Sequence, residues 1–246
     1  EPWISNWVSE KDSGQYKANN KGIGKATGQI YAWLNSDDIY LPNALTSIGK
    51  SFMEEDNIGA VVGLGRKLNE QGKVIYVPER PKLDFQSLAN EWGPKIIWQP
   101  SCFFSNQAWK QCGPLDEDLY FCMDMDLWLK IAQNFKLNEF DQFQSHAISH
   151  RAAKTTGSRE YMAVEHALVL LKRYNVQKSA LYYLKGLADS AIESKQKITA
   201  LTQNPIYKLL GPIYRALRKL RKNINESSPL AQSSNQLPLY FRKQLK

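Results

Sequence analysis

The stretch that decides the fold is Gln29-Ile-Tyr-Ala-Trp-Leu34, which runs directly into Asn35-Ser36-Asp37-Asp38. The apolar run predicts a short buried strand, and the polar loop ends it. Pro42 stands where a helix would begin, and apolar residues then recur at helical spacing. A strand, an acidic loop and a helix in this order predict an α/β fold. The loop lies at the carboxyl end of a strand, where open parallel sheets bind their ligands.

Asp37 and Asp38 are the first candidates for chemistry. Two adjacent carboxylates offer the hard oxygen ligands that Mg²⁺ or Mn²⁺ prefers. A cation held there could bridge a diphosphate and neutralise it as it leaves. The alternative is a solvated acidic turn that caps the helix after Pro42. These residues alone leave both interpretations open.

A second candidate is the acidic start of a later apolar helix. Met123-Asp124-Met125-Asp126 places acids beside methionines, where a raised pKa would suit Asp124 to act as a general base toward a sugar hydroxyl. Simple N-capping by Asp124 or Asp126, worth about 1 kcal/mol, explains the same pattern. Without other information, capping is the better interpretation.

A third candidate is His150, which follows a strand pattern and precedes Arg151 and Lys154. An imidazole with two cations nearby could supply a metal ligand and phosphate contacts. A lone histidine is more often structural, and basic neighbours usually form a solvated surface. This segment therefore carries little weight by itself.

The composition is that of an ordinary globular chain with one strongly basic end. The chain has 246 residues, of which 43% are hydrophobic and 23% charged, and its net charge is +8. The segment from Leu201 to Lys246 holds nine basic residues and one acid, Glu226, so it accounts for the whole excess. No apolar stretch approaches the roughly 20 residues of a membrane-spanning helix. Three cysteines without a CxxC spacing argue against both a disulfide framework and structural zinc, and indicate buried free thiols.

Taken together, these segments resemble the family 2 glycosyltransferases of the GT-A fold, and most closely those that build bacterial surface polysaccharides. The resemblance runs from about Trp7 to Thr155. Its specificity comes from several motifs in one order and spacing, rather than from any single Asp-Asp pair. The motifs are Trp7-Val-Ser-Glu10-Lys-Asp12-Ser-Gly14-Gln15, Asn20-Lys21-Gly22, Ala26-Thr27-Gly28 and Trp33-Leu34-Asn35-Ser36-Asp37-Asp38.

The resemblance implies a nucleotide-sugar donor, a glycan or lipid-linked acceptor, and Mn²⁺ or Mg²⁺ as cofactor in an inverting transfer. It implies that Asp38 and His150 bind the metal and that Asp124 is the catalytic base. Gln99-Pro-Ser101 would lie nearer the acceptor. The residues expected to contact the donor are Asp12, Gln15, Asn20, Lys21, Asp37 and Lys154.

Three departures from the family pattern bear on the site. The opening β-α-β unit of the family is missing, so we expect a longer natural chain before Glu1. Lys17 stands where relatives often carry an acid, which predicts different contacts to the donor. Met123 replaces the first acid of the usual Glu-Asp pair, whereas Asp124 keeps the position of the base.

The expected organisation is a catalytic domain over residues 1–157, a helical extension over 158–224 and a flexible basic tail over 225–246. Apolar residues between Ile206 and Ile224 recur at helical spacing, with basic residues largely off that stripe. This helix could lie on an anionic membrane or pack on the catalytic domain. We expect a cytoplasmic protein, at the inner face of the plasma membrane if the helix binds lipid.

Two other classes of function compete with the enzyme. A nucleic-acid-binding module would explain the basic pI, but the basic residues lie in one tail without an aromatic stacking platform, so we expect no nucleic-acid partner. A non-catalytic scaffold or partner subunit of the same fold is the other alternative. Retention of Asp38 and Asp124 argues against a scaffold for the full-length parent protein, but not for this fragment.

Overall fold

A computed structural model describes residues 4–12, 14–91, 95–150 and 159–203. The chain divides into two compact units, residues 1–182 and 183–246. The first unit contains the sheet and the helices that surround it. In the second unit the described part is the remainder of a single long helix. Lys154, the predicted basic helix and the tail lie outside the described residues, and the three predicted segments stay a prediction.

The first unit is built on one mixed sheet with helices against it, which confirms the predicted fold class. The strands are β1 (Ile30–Tyr31), β2 (Asp38–Tyr40), β3 (Ile58–Leu68), β4 (Val74–Tyr76), β5 (Cys102–Ser105) and β6 (Lys136–Ile148). The helices are α1 (Gln15–Lys25), α2 (Ala44–Met53), α3 (Phe85–Glu91), α4 (Asn106–Cys112), α5 (Met123–Asn134), α6 (Arg159–Tyr174) and α7 (Gln177–Gln203), with a 3₁₀ turn at Gln99–Ser101.

The strand order is β1-β5-β3-β6-β2, and β4 forms a hairpin with the far end of β3. Only β3 and β6 are parallel among these pairs; the others are antiparallel. The first residues of β3 are buried without alternation, because helices or loops cover both faces of a central strand. β2 pairs with the end of β6, with Asp38 opposite Ala147. This pairing brings the acidic loop beside the chain that leads to His150.

Local structure differs from the sequence expectation at the acidic loop. The strand before it is short, since β1 ends at Tyr31, and Asp38 itself begins β2. α1 ends at Lys25 with Ala26 as its cap. Asn35 to Asp37 therefore form a tight turn between two strands, in which the Asp38 amide donates to the Asn35 carbonyl at 3.1 Å.

An aromatic cluster fills the core between the sheet and α5. Trp33 stacks on Trp128 with ring centroids 5.5 Å apart and an interplanar angle of 10°, and Phe104 packs against both rings. Such pairs contribute about 0.5–1.5 kcal/mol each beyond the area that they bury. Cys102, Cys112 and Cys122 are buried free thiols, as predicted. None of the helices within the described ranges is long and apolar enough to cross a membrane.

Candidate active site

Asn35 is the centre of a hydrogen-bonded chain of side chains at the acidic turn. Its Nδ2 donates to Asp38 Oδ2 at 2.7 Å and to Gln99 Oε1 at 3.1 Å. Its Oδ1 accepts from Gln15 Nε2 at 2.5 Å. Gln99 Nε2 in turn donates to the carbonyl of Trp33 at 2.8 Å. The first turn of α1, the acidic turn and the 3₁₀ turn are thereby held together.

Asp38 lies half-buried in this chain and is electrostatically unusual. The pKa of its carboxyl is raised to about 6, mainly by burial; the hydrogen bond from Asn35 opposes this rise and the charge of Asp37 adds to it. Burial, and to a smaller extent the charge of Asp38, raises the pKa of the Tyr40 phenol to about 12. A carboxylate held in such a place is stabilised by any cation that binds beside it.

Asp37 contacts His150. His150 Nε2 and Asp37 Oδ2 are 3.0 Å apart, and both side chains are about one-third exposed. The register of β2 against β6 explains the meeting, because Ile148 follows the Asp38–Ala147 pair and donates its amide to the Asp37 carbonyl at 3.2 Å. Two residues separated by 113 positions thus share one edge of the site.

The donor atoms at this edge fit a divalent cation that is shared with a substrate. Among the described residues, no three His, Cys, Asp or Glu side chains form a ready-made metal cage. Mg²⁺ commonly binds through one or two carboxylates plus substrate phosphates rather than through a full protein cage. Asp38, with its raised pKa, and the Asp37–His150 pair supply carboxylate and imidazole ligands of that kind.

Asp124 occupies the first turn of α5, as the sequence predicts. Its Oδ1 accepts the amide of Met125 at 2.8 Å, so the carboxylate lies against the free amides of the helix N-terminus. Burial raises the pKa of the Cys102 thiol, and the charge of Asp124 raises it further. Cys102 belongs to β5, which pairs with β1 and β3, so the charge of the base candidate acts on this part of the sheet.

The stacked tryptophans connect the two halves of the site. One residue, Leu34, separates Trp33 from the acidic turn, and Trp128 lies one helical turn after Asp124. Because both indoles are buried, the stack fixes α5 relative to the chain that enters Asn35. The candidate metal ligand and the candidate base, which come from segments far apart in the sequence, are positioned by one aromatic contact.

The remaining predicted donor residues surround α1 and have other contacts. Asp12 Oδ1 accepts the amide of Gly14 at 3.1 Å, just before α1. The Asn20 amide is engaged at both ends by the backbone of Leu115, with two hydrogen bonds of 2.9 Å. Lys21 pairs with the exposed Glu10 at 2.5 Å. Gln15 alone of these four joins the chain through Asn35.

Lys17, which departs from the family pattern, pairs with Glu117 at 3.8 Å on the surface. A cavity of about 970 Å³ lies between α1 and the segment before it, and Asp12 and Lys21 are among the residues that line it. Whether the four predicted residues touch a donor stays a prediction.

Two buried residues, Glu165 and His166, were not singled out from the sequence, whereas Asn35 and Gln99 were named only as parts of motifs. Asn35 and Gln99 belong to motifs that the sequence analysis had already recognised. A polar side chain beside a buried strand could have marked each of them as a candidate site residue. Glu165 and His166 lie in α6, in a stretch with an ordinary amphipathic pattern. The signal there is two adjacent ionisable residues on the apolar side of a helix, and both prove to be buried.

Comparison with known proteins finds one matching family model and several relatives. Residues 7–108 match the family model of glycosyl transferase family 2. The chain is 22% identical over 181 residues to a chondroitin synthase of Pasteurella multocida strain Pm70, which covers 71% of this chain and 18% of that protein. It is 23% identical over 197 residues to a hyaluronan synthase of Pasteurella multocida, covering 78% of this chain and 19% of that protein. An uncharacterized glycosyltransferase of Rickettsia bellii is 31% identical over 91 residues, 37% of this chain and 12% of that one.

The matched motifs and the mixed sheet are similar to those of a glycosyltransferase domain. Over residues 7–108 this chain is similar to glycosyl transferase family 2. It spans about a fifth of the length of the two synthases. Among solved structures it is similar to residues 1–349 of TarS from S. aureus, at 14% identity and a TM-score of 0.43, covering 80% of this chain and 57% of that one.

Proposed function

We propose that this chain catalyses an inverting, metal-dependent transfer of a hexosyl group from a nucleotide-sugar donor to a glycan or lipid-linked acceptor in polysaccharide biosynthesis. The observation that carries the proposal is the joining of Asp38 and Asp124 through the Asn35 chain and the Trp33–Trp128 stack. The relatives that are named as chondroitin and hyaluronan synthases support polysaccharide synthesis as the setting.

Asp124 would serve as the general base of this reaction. Its place at the start of α5 leaves the carboxylate half-buried, where it can accept the proton of an acceptor hydroxyl. The oxygen of that hydroxyl then attacks the anomeric carbon of the donor as the bond to the diphosphate breaks. A single displacement of this kind inverts the configuration.

Asp38, with Asp37 and His150 beside it, would hold the donor diphosphate through Mn²⁺ or Mg²⁺. The cation, when bound, supplies positive charge that neutralises the leaving diphosphate. Gln15 and Gln99 keep Asn35 in place, and Asn35 orients the Asp38 carboxylate toward its ligand. Lys154 would add a cation at the phosphates.

The decisive experiment measures nucleotide release from UDP-, GDP- and dTDP-sugars with Mn²⁺ or Mg²⁺. The protein should include whatever sequence precedes Glu1 in the natural chain. Asp124→Asn is expected to lower kcat by about 10²- to 10⁴-fold and to leave donor binding intact, because only proton transfer is lost. Asp38→Ala is expected to weaken metal-dependent donor binding as well as turnover.

Asp56→Asn is the matched control, since Asp56 is exposed on the turn after α2. It should leave both kcat and donor binding unchanged. A folded wild-type protein that neither binds nor turns over any donor would refute the enzyme and favour a scaffold of the same fold. Full turnover by Asp124→Asn would refute the base assignment alone.

A further inference from the structure

Glu165 of α6 makes contacts that the transfer reaction does not explain. Its side chain is completely buried, at 0% exposure. Oε1 accepts the amide of Tyr120 at 2.8 Å, and Oε2 accepts the amides of Phe121 at 2.5 Å and Cys122 at 2.9 Å. Three consecutive backbone N–H groups thus converge on one carboxylate, in the arrangement known as an anion-binding nest.

The residues held by Glu165 directly precede the base candidate. Cys122 is the N-terminal cap of α5, and it lacks a side-chain capping bond. Its carbonyl accepts the Asp126 amide at 3.0 Å and so starts the helix. Asp124 is two residues after Cys122. The direction in which its carboxylate leaves the backbone is therefore set by the three amides that Glu165 holds.

Attachment of α6 to α5 does not require Glu165. Asp126, which is 1% exposed, already binds Arg173 at 3.0 Å, the Tyr174 hydroxyl at 2.8 Å and Lys130 at 2.7 Å. A buried carboxylate is costly unless its hydrogen bonds are complete. Glu165 satisfies its carboxylate with the backbone before Asp124, and an apolar residue there would leave these three amides without their acceptor.

The neighbouring residue of α6 faces the same segment. His166 is almost fully buried, and its Nδ1 donates to the Met162 carbonyl at 2.7 Å in the tautomer with the proton on Nδ1. Burial lowers the pKa of His166, while the charge of Asp124 raises it. The charge of Asp124 therefore acts on a residue next to Glu165 in α6.

From these contacts we infer that Glu165 is a positioning residue for the reaction, and that it orients Asp124 by holding the amides of residues 120–122. The inference rests on the proposed function, because it concerns the base of that reaction. It assigns to α6 a part of the active site that no sequence motif indicated. Loss of the nest would let Asp124 shift without removing any group that touches donor or acceptor.

The test compares Glu165→Gln and Glu165→Asp with the wild-type protein. In Gln one carboxylate oxygen becomes an NH₂ group that faces backbone N–H groups, and Asp keeps the charge but is one methylene shorter. A displacement of about 1 Å at a reacting group can cost about 10²-fold. We therefore expect kcat to fall by about 10- to 100-fold in Glu165→Gln, while donor KM stays unchanged, and Glu165→Asp to fall between Gln and wild type.

Ser179→Ala is the matched control for a purely structural loss. Ser179 is buried on α7 in the first unit and donates to the Ala89 carbonyl at 2.6 Å, far in sequence from the base. Its loss should lower the Tm while kcat is retained. If Glu165→Gln behaves like Ser179→Ala, with a lower Tm and normal kcat, Glu165 is structural and the inference is overturned.

A second readout is independent of turnover. Hydrogen exchange should become faster at the amides of residues 120–122 in both Glu165 variants, and should stay protected in the second half of α5. Unchanged exchange at these amides overturns the inference even if the enzyme is inactive. Asp124→Asn, measured in parallel, tests the proposed function separately. A normal kcat in that variant would refute Asp124 as the base, whereas the hydrogen exchange at residues 120–122 tests the role of Glu165.

Discussion

At the scale of single residues, the site depends on how one amide is shared. Asn35 uses both ends of its side chain to hold Gln15, Gln99 and the Asp38 carboxylate. Gln15 lies 20 positions from Asn35 in the sequence, and Gln99 lies 64 positions from it. Asn35 also gives Asp38 a hydrogen bond that favours its charged form, against a burial that disfavours it. The balance leaves the pKa of Asp38 raised, and this has a measurable consequence.

Asp38→Asn is expected to stabilise the protein at neutral pH in the absence of divalent cations. The pKa of Asp38 is raised in the folded state, from 3.8 to about 6. Its contribution to stability is therefore fully present below pH 3.8 and is lost as the pH rises through about 6. Because the side chain is partly exposed, the effect above that pH should be on the order of 1 kcal/mol. Urea unfolding at pH 4 and pH 8 measures it.

Three outcomes test this account of Asp38. The stability difference between Asp38→Asn and wild type should vanish at pH 4. Addition of Mn²⁺ or Mg²⁺ at pH 8 should stabilise the wild type but not Asp38→Asn, since a ligand that binds only the folded state stabilises it. The exposed-site variant Asp56→Asn should stay within about 0.5 kcal/mol of wild type at both pH values. A less stable Asp38→Asn at pH 8 would contradict the argument.

At the scale of secondary structure, the order of elements was largely predictable, but contacts between elements were not. The apolar helix that begins near Asp124 was predicted from the sequence and is present. The extent of β6 was not predicted, because polar residues such as Asn138, Glu139 and Gln142 interrupt its apolar pattern. Its pairing with β3 and β2 overrides that weak pattern.

The same limit applies to the candidate site. Asp38, His150 and Asp124 could be predicted as site residues because their motifs are local. The hydrogen bonds of Glu165 join residues that are 43 to 45 positions apart in the sequence. No stretch of α6 resembles a known motif. The Trp33–Trp128 stack is likewise a result of packing between two elements. Contacts of this kind follow from tertiary structure, so periodicity alone could not supply them.

Gly65 in β3 is expected to be essential for the position of the 3₁₀ turn. A Cβ at Gly65 would lie 1.8 Å from Trp98 Cδ1, so the indole sits directly on the backbone of the strand. Trp98 immediately precedes Gln99, which binds Asn35. Gly65→Ala should therefore destabilise the fold by about 1–3 kcal/mol, as overpacking does, and should also weaken donor binding. Urea unfolding and donor titration measure the two effects.

Gly49→Ala provides the control for this glycine. Gly49 lies within α2, and a Cβ there would meet nothing within 4 Å. Alanine should leave stability unchanged or increase it by about 0.5–1 kcal/mol, because glycine is a poor helix former. Donor binding should be unaffected. If Gly65→Ala changes stability and donor binding no more than Gly49→Ala does, the position of Trp98 does not require a glycine at residue 65.

At the scale of the whole molecule, the charge is separated along the sequence. The net charge of +8 equals that of the nine basic residues and one acid after Leu201, so the rest of the chain is balanced. The body carries ion pairs of both signs, such as Arg80 with Glu139 and Lys136 with Glu55. A balanced enzyme body with a cationic terminal segment suits a protein whose acceptor is presented at an anionic surface.

We therefore expect the full chain to bind vesicles that contain about one-third anionic lipid and not purely zwitterionic vesicles. Each Lys or Arg near such a surface contributes about 1 kcal/mol, so a variant with four glutamines at Arg218, Lys219, Arg221 and Lys222 should bind at least about 100-fold more weakly. Replacement of four exposed lysines of the body, Lys50, Lys73, Lys82 and Lys110, is the charge-matched control and should have little effect. Co-sedimentation at low and high salt measures binding, which added salt should weaken. The prediction fails if the wild-type chain does not bind anionic vesicles, or if both quadruple variants lose binding equally. In either case the terminal segment does not recognise the membrane, and we expect its apolar stripe to pack on protein.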